Sequence, residues 1–165
     1  QRQMCIRDRY LSRLEQELDT PLFNRSKGEL TLTPAGELYV EAAKQVRGEE
    51  LIGSFVLGNP HESIFPAIYG STHIEKVNAF GILETYDAAS IIVAADVAAK
   101  TAIVDLIELR IAKGMCGKSY LILTGEVAAV EAAIGKAKQA AAKDGMYLDS
   151  SVIAHPDEQI CRSIL

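Results

Sequence analysis

The sequence predicts an α+β protein, an α/β sandwich whose main body, residues 78–165, forms a βαββαβ sheet domain preceded by an unrelated helical stretch. Three observations carry that expectation. Apolar periodicity switches between two and 3.6 residues in the order βαββαβ from Asn78 onward, composition and charge change near Glu49, and one segment recurs at an offset of 96 residues.

The elements follow in chain order. Asn78 to Thr85 (NAFGILET) reads as a strand and Asp87 to Thr101 as an Ala-rich helix with an acid at its N-terminus, where the helix dipole favours it. Val104 to Ile111 alternates apolar and charged residues, with a slip at Ile107, and predicts a second strand. A Gly-rich turn, Lys113 to Lys118, leads into a third strand, Ser119 to Thr124. Glu126 to about Lys143 is helical, with Val127, Val130, Ala133, Ile134 and Ala137 on one face, and Gly145 is placed to end it in the left-handed conformation. Tyr147 to Ala154 is the fourth strand, which completes a ferredoxin-like order with both helices on one face of the sheet.

The front of the chain is different. Leu11, Leu14 and Leu18 fall at helical spacing, Pro21 stops that helix, and Ser26-Lys27-Gly28-Glu29 is a turn between short apolar runs. Thr33-Pro34 then reads as an N-cap followed by Pro in the first turn of a helix through Val46. The order is helix, two-stranded wing, helix.

Composition and charge exclude several classes. Hydrophobic residues make up 48% of the 165 and charged residues 24%, which permits a packed core and argues against wholesale disorder. The longest apolar stretch, Ala88 to Ala99, is broken by Asp96 and stopped by Lys100, too short to span a bilayer, and nothing reads as a signal peptide. Cys5, Cys116 and Cys161 are few, odd in number and far apart, so a reducing, cytoplasmic setting is expected. Residues 1–48 carry 8 Lys+Arg against 7 Asp+Glu, and residues 49–165 carry 9 against 15. A main body of net charge 9 − 15 = −6 is a poor phosphate binder.

Sliding the chain by 96 residues lays Ile52 to Ile64 on Leu148 to Ile160 with five of 13 pairs identical. Residues 49–64 are therefore expected to be the final strand and tail of an earlier, truncated copy of the same domain.

Two resemblances sharpen the reading. RLEQELDTPLFNRS followed by LTLTPAGELY is similar to the second half of the winged helix-turn-helix of LysR-type transcriptional regulators, over about 37 residues. The two earlier helices of that family are missing here. In their place QRQMCIRDR resembles translated adapter sequence, an artefact-like leader consistent with a chimeric open reading frame. With the groove-reading scaffold absent, DNA binding is not expected. AFGILET, AADVAAKTA, LTGEVAAVEAAI and SSVIAHPDEQI resemble a bacterial microcompartment shell domain, and residues 49–165 resemble the second half of tandem-domain trimeric shell proteins of propanediol or ethanolamine utilisation. The expected division is a leader at 1–9, a truncated winged helix at 10–47, a repeat tail and linker at 49–77, and the shell domain at 78–165.

The shell resemblance implies a structural tile, not an enzyme, that self-associates and packs with other shell proteins as a trimer or hexamer around a pore for small metabolites. It places Lys100 at the tile edge, against a neighbour, and Gly114, Met115, Cys116, Gly117 and Lys118 in the pore loop. In some tandem shell proteins a pore-loop Cys from each of three subunits holds an iron–sulfur cluster, so Cys116 is the one metal candidate, against the plainer reading of a small residue in a tight turn with no cofactor. His61, His73 and His155 lack partners at ligand spacing. Glu84 is an ordinary strand-end carboxylate, and the chain shows no catalytic constellation. The rival function is a LysR-type regulator, supported only by the N-terminal fragment.

Overall fold

The computed structural model describes residues 12–24, 31–111 and 114–164. The chain divides into two compact units, Gln1–Ile52 and Gly53–Leu165. Leu11, the turn at 26–29, the leader at 1–9 and Lys113 lie outside the described residues.

In the first unit, helix α1 is described over residues 12–17 and ends where Asp19 takes a left-handed φ of 48°, two residues ahead of Pro21. Strands β1 (Phe23–Asn24) and β2 (Thr31–Leu32) pair antiparallel, and α2 (Pro34–Arg47) follows. The local chemistry is legible in the TLTPAG run. Thr33 accepts the N–H of Gly36 at 3.0 Å as N-cap and donates its hydroxyl to the carbonyl of Pro21 at 2.7 Å, which ties the helix start to the chain before β1. Gly36 is required by close approach, since a Cβ there would stand 2.1 Å from the carbonyl oxygen of Leu22. Glu15 completes the knot by accepting the N–H groups of Leu22 and Phe23 at 2.8 and 3.0 Å.

The second unit holds a short helix α3 (Ile64–Tyr69), then β3 (Ala79–Thr85), α4 (Ala88–Thr101), β4 (Val104–Arg110), β5 (Ser119–Gly125), α5 (Val127–Lys143), β6 (Tyr147–Ala154) and α6 (Glu158–Ile164). The four strands form one antiparallel sheet in the order β4-β5-β3-β6. This is the expected βαββαβ arrangement: α4 connects β3 to β4 and α5 connects β5 to β6, each connection passing over one intervening strand.

Local chemistry sets the start of α4 and the end of α5. Asp87 caps α4 by accepting the N–H of Ser90 at 2.9 Å. Gly145, at φ 72°, follows the end of α5, where its N–H and that of Met146 bond the carbonyls of Ala142 and Ala141. The slip at Ile107 is a β-bulge: the β4–β5 register shifts between Leu106 and Glu108, so Leu106 and Leu109 both reach the helix-covered core while Ile107 joins the opposite face.

The main core lies between the sheet and both helices. Leu83, Leu106, Leu109, Leu121 and Leu123 from the strands meet Ile91, Ala94 and Ala98 of α4 and Val130, Ile134 and Ala137 of α5. Each fully buried Leu contributes about 1.5–3 kcal/mol of transfer free energy. Alanine on the inner faces of α4 and α5 and glycine at Gly81 let helix and sheet approach closely. A Cβ at Gly81 would fall 2.7 Å from side-chain atoms of Ile134 and Leu123. On the other face Phe80, Ile107 and Ile122 form a smaller cluster with Ile74, Val77, Cys161 and Ile164.

One expectation is corrected. Residues 51–57, aligned by the repeat with β6, form no strand. A strand is held by ladder partners and not by its own sequence, and no partner strand faces this segment among the described residues. Past this segment a short helix, α3, stands at Ile64–Tyr69, and α6 stands at Glu158–Ile164.

Candidate functional site: two ends of one edge strand

Strand β4 is an edge of the sheet, and the two sequence-derived sites lie at its opposite ends. Seven residues of strand put them about 20 Å apart. Lys100 stands just before β4, on the last turn of α4, whereas Gly114 to Lys118 form the turn after it.

At the first end, Lys100 donates to Oδ2 of Asp96 at 2.6 Å and to the carbonyl oxygen of Asn59 at 2.7 Å. Asp96 is 5% exposed and also accepts the N–H of His61 at 2.8 Å. The spacing of four puts both side chains on one face of α4, and the pair grips the main chain of residues 59–61 from two sides. A buried carboxylate needs such partners, since an unpaired one is costly. Asp96 was legible only as an interruption in an apolar run, and its partners at residues 59–61 are a tertiary result. Ile103, just beyond, is 96% exposed.

At the second end, Lys118 N–H closes a turn onto the carbonyl of Met115 at 3.1 Å. Gly114 and Gly117 have φ of 76° and 92°, and Cys116 has φ of 53°, in the left-handed region that non-glycine residues seldom adopt. Gly114, Cys116 and Lys118 are exposed. The turn sits beside Tyr86, whose carbonyl oxygen is 3.5 Å from where a Gly117 Cβ would stand. Tyr86 is half exposed and its N–H bonds the carbonyl of Met146, so the β3–α4 and α5–β6 connections share this end of the sheet. Reading the sequence alone missed Tyr86, because no spacing signal links residue 86 to residue 117.

Between the two ends, the sheet face that carries the Phe80 cluster also holds a polar cluster. Tyr120 donates its hydroxyl to Glu108 at 2.9 Å, and Arg110 binds the other carboxylate oxygen through Nε at 2.9 Å. Burial, and then the hydrogen bond to Glu108, push the Tyr120 phenol above its ordinary range. The hydrogen bond and charge of Glu108 raise Arg110. A cleft of about 320 Å³ adjoins Arg110, walled by Ile68, Tyr69, Gly70, Glu108 and Ile111. Glu108 already pairs with Arg110, which leaves this cleft without an unbalanced charge to aim at a substrate.

No group of three or more His, Cys, Asp or Glu able to hold a metal occurs among the described residues. Cys116 offers one thiol per chain, whereas an iron–sulfur cluster takes about four cysteine ligands. A cluster at this turn would have to be assembled from several chains. No helix among the described residues is long and apolar enough to cross a membrane.

The comparisons with known proteins agree with this architecture. The BMC domain model matches residues 79–156, from the first residue of β3 to just past β6. The model of bacterial regulatory helix-turn-helix proteins of the lysR family matches residues 8–37. The bacterial microcompartment shell protein PduT of Citrobacter freundii is 36% identical over 126 residues, covering 76% of this chain and 68% of that protein. A microcompartments protein from Desulfitobacterium hafniense DCB, known from its crystal structure, superimposes with a TM-score of 0.67 at 39% identity, over 81% of this chain and 74% of that one. On the β4-β5-β3-β6 sheet, the domain match across it and these two relatives, the chain belongs to the family of bacterial microcompartment shell proteins.

Proposed function

We propose that residues 53–165 serve as one repeat of a shell tile, which packs edge to edge with other shell-domain repeats around a pore lined by Gly114 to Lys118. The observation that carries this reading is the completeness of the β3 to β6 repeat, with an exposed turn at one end of edge strand β4 and an exposed Lys100–Ile103 corner at the other. Cyclic packing of such a repeat brings identical turns together at the axis. Converging Lys118 ammonium groups would then favour small anionic or polar metabolites, as rings of cations do in other pores. Lys100 contributes at the tile edge through the part of its side chain left free by Asp96. The tile carries no catalysis and no cofactor, and its setting is the shell of a cytoplasmic microcompartment.

Light scattering coupled to size exclusion tests this on the full chain, alone and mixed with a purified single-repeat shell protein. Entry into a ring-sized or larger species is expected. A clean monomer at tens of micromolar in both samples overturns the tile.

A second reading has one specific support, the lysR-family match over residues 8–37, which would make the chain a DNA-binding regulator. Against it stand the acidic balance of residues 49–165 and the confinement of the match to residues 8–37.

A further inference from the structure

Lys100 has little left to offer a neighbour. Its Nζ donates to Oδ2 of Asp96 at 2.6 Å and to the carbonyl oxygen of Asn59 at 2.7 Å, so two of the three N–H groups of an ammonium are engaged inside the chain. Its charge is engaged as well, by a carboxylate that is 5% exposed. An ammonium compensated at that distance attracts an opposite charge on another molecule only weakly.

Three residues on, the chain does the reverse. Ile103 is 96% exposed, in the two-residue link between the end of α4 at Thr101 and the start of β4 at Val104, with half-buried Ala102 and Val104 on either side. Its side chain belongs to neither apolar cluster and its φ is not positive. Links of this kind are usually built from glycine, asparagine, aspartate or serine, which keep the turn solvated. A single exposed isoleucine is ordinary on a protein surface. This one stands where the tile reading puts a neighbour, beside a cation that is already neutralised.

We propose that Ile103 is the specificity-determining residue of the tile edge, where it pairs by apolar contact with the same corner of a second copy, and that Lys100 serves chiefly to hold residues 59–61. The inference rests on the tile reading and deepens it. A corner with a bare ammonium repels its own copy and selects an acidic partner. Here the ammonium is cancelled and the apolar side chain is free, which makes the corner complementary to itself, as an isologous contact requires. Asp105 and Glu126 are exposed carboxylates at the same end of the sheet, where Val104 pairs with Gly125. Their repulsion between two copies is of the kind that salt screens. An apolar edge flanked by carboxylates therefore holds or tightens as salt is added, whereas an edge built on a lysine ion pair loosens.

The test follows the full chain by light scattering over a concentration series at low and at high salt, alone and with a purified single-repeat shell protein added. Ile103→Asp and Ile103→Asn alter a solvent-facing position and should leave the melting temperature unchanged. Each is expected to weaken self-association by about tenfold or more, as loss of one buried isoleucine implies. Ile103→Leu should keep wild-type association, and the wild-type chain should associate at least as well at high salt as at low. Association of Ile103→Asp at the wild-type concentration, or its loss from the wild-type chain on adding salt, overturns the apolar edge and leaves the tile standing. Association that appears only when the single-repeat protein is added overturns self-pairing in the same way. Failure of the wild-type chain to associate in either sample overturns both.

Discussion

Lys100 and Asp96 face each other one turn apart on α4, with Nζ 2.6 Å from Oδ2, and the carboxylate is almost wholly buried while the ammonium is nearly half exposed. That asymmetry makes the carboxylate the member of the pair that depends on its partners. The buried carboxylate is held by Lys100 and by the main chain of His61, and Lys100 in turn holds the carbonyl of Asn59.

Lys100→Ala is therefore expected to lower stability by about 1–3 kcal/mol, because it strips a buried carboxylate of one partner. Asp96→Ala should cost a similar amount and loosen residues 59–61. Urea unfolding of both variants checks the magnitude, and proteolysis near residue 60 checks the location. Wild-type stability in Lys100→Ala would show the pair to be a surface decoration.

Gly81→Ala places a methyl among Ile134, Leu123 and Val130 at under 3 Å. Destabilisation of about 1–3 kcal/mol is expected from overpacking the interface between β3 and α5. Thermal unfolding followed by circular dichroism measures it, and a neutral result would mean that α5 can shift outward without cost.

Cys116 stands at φ 53° in an exposed turn. Left-handed backbone costs a non-glycine residue about 1–2 kcal/mol, and glycine loses about 0.5–1 kcal/mol through its freer unfolded chain. Cys116→Gly should thus stabilise by up to about 1 kcal/mol. Protein purified without oxygen is expected to be colourless, and Cys116→Ser should leave assembly intact. A brown oligomer bleached by that substitution would instead establish a cluster held by Cys116 thiols from several chains.

Tyr120 gives the fold an alkaline limit. Its phenol titrates above the ordinary value of 10.0 because it is partly buried and donates to Glu108. A group whose folded pKa is raised contributes stability that is complete below its unfolded value and lost as the pH rises through the folded one. Unfolding free energy should fall as the pH rises above about 10, and Tyr120→Phe should flatten that fall. An unchanged slope in the variant would remove Tyr120 as its source.

Duplex DNA supplies the last check. If the region matching the lysR-family model read a groove, the full chain would bind with an affinity that drops steeply with salt. No salt-dependent shift is expected at sub-micromolar protein in a mobility assay, and its appearance would restore the regulator.

The sheet was largely legible before any coordinates. Asp87 as a cap, Gly145 as a helix stop, the alternation of β4 with its slip at Ile107, and the Thr33-Pro34 helix start all act through neighbours within a few residues, so local chemistry alone predicts them. The reading of residues 51–57 as a strand failed for the opposite reason. Their pattern matches β6, but the partner a strand needs is supplied by distant chain.

The candidate sites divide along the same line. Sequence by itself determined the βαββαβ order, the resemblance to shell domains, the turn at Gly114 to Lys118 and the recurrence that lays Ile64 on Ile160, because periodicity, turn residues and self-similarity are written along the chain. Only the tertiary structure decided that Lys100 grips Asn59 across 41 residues, that Tyr86 stands beside Gly117, and that Ile64 is buried while Ile160 is not. Burial depends on which surface a helix finds, and two segments with the same pattern separate when they find different surfaces.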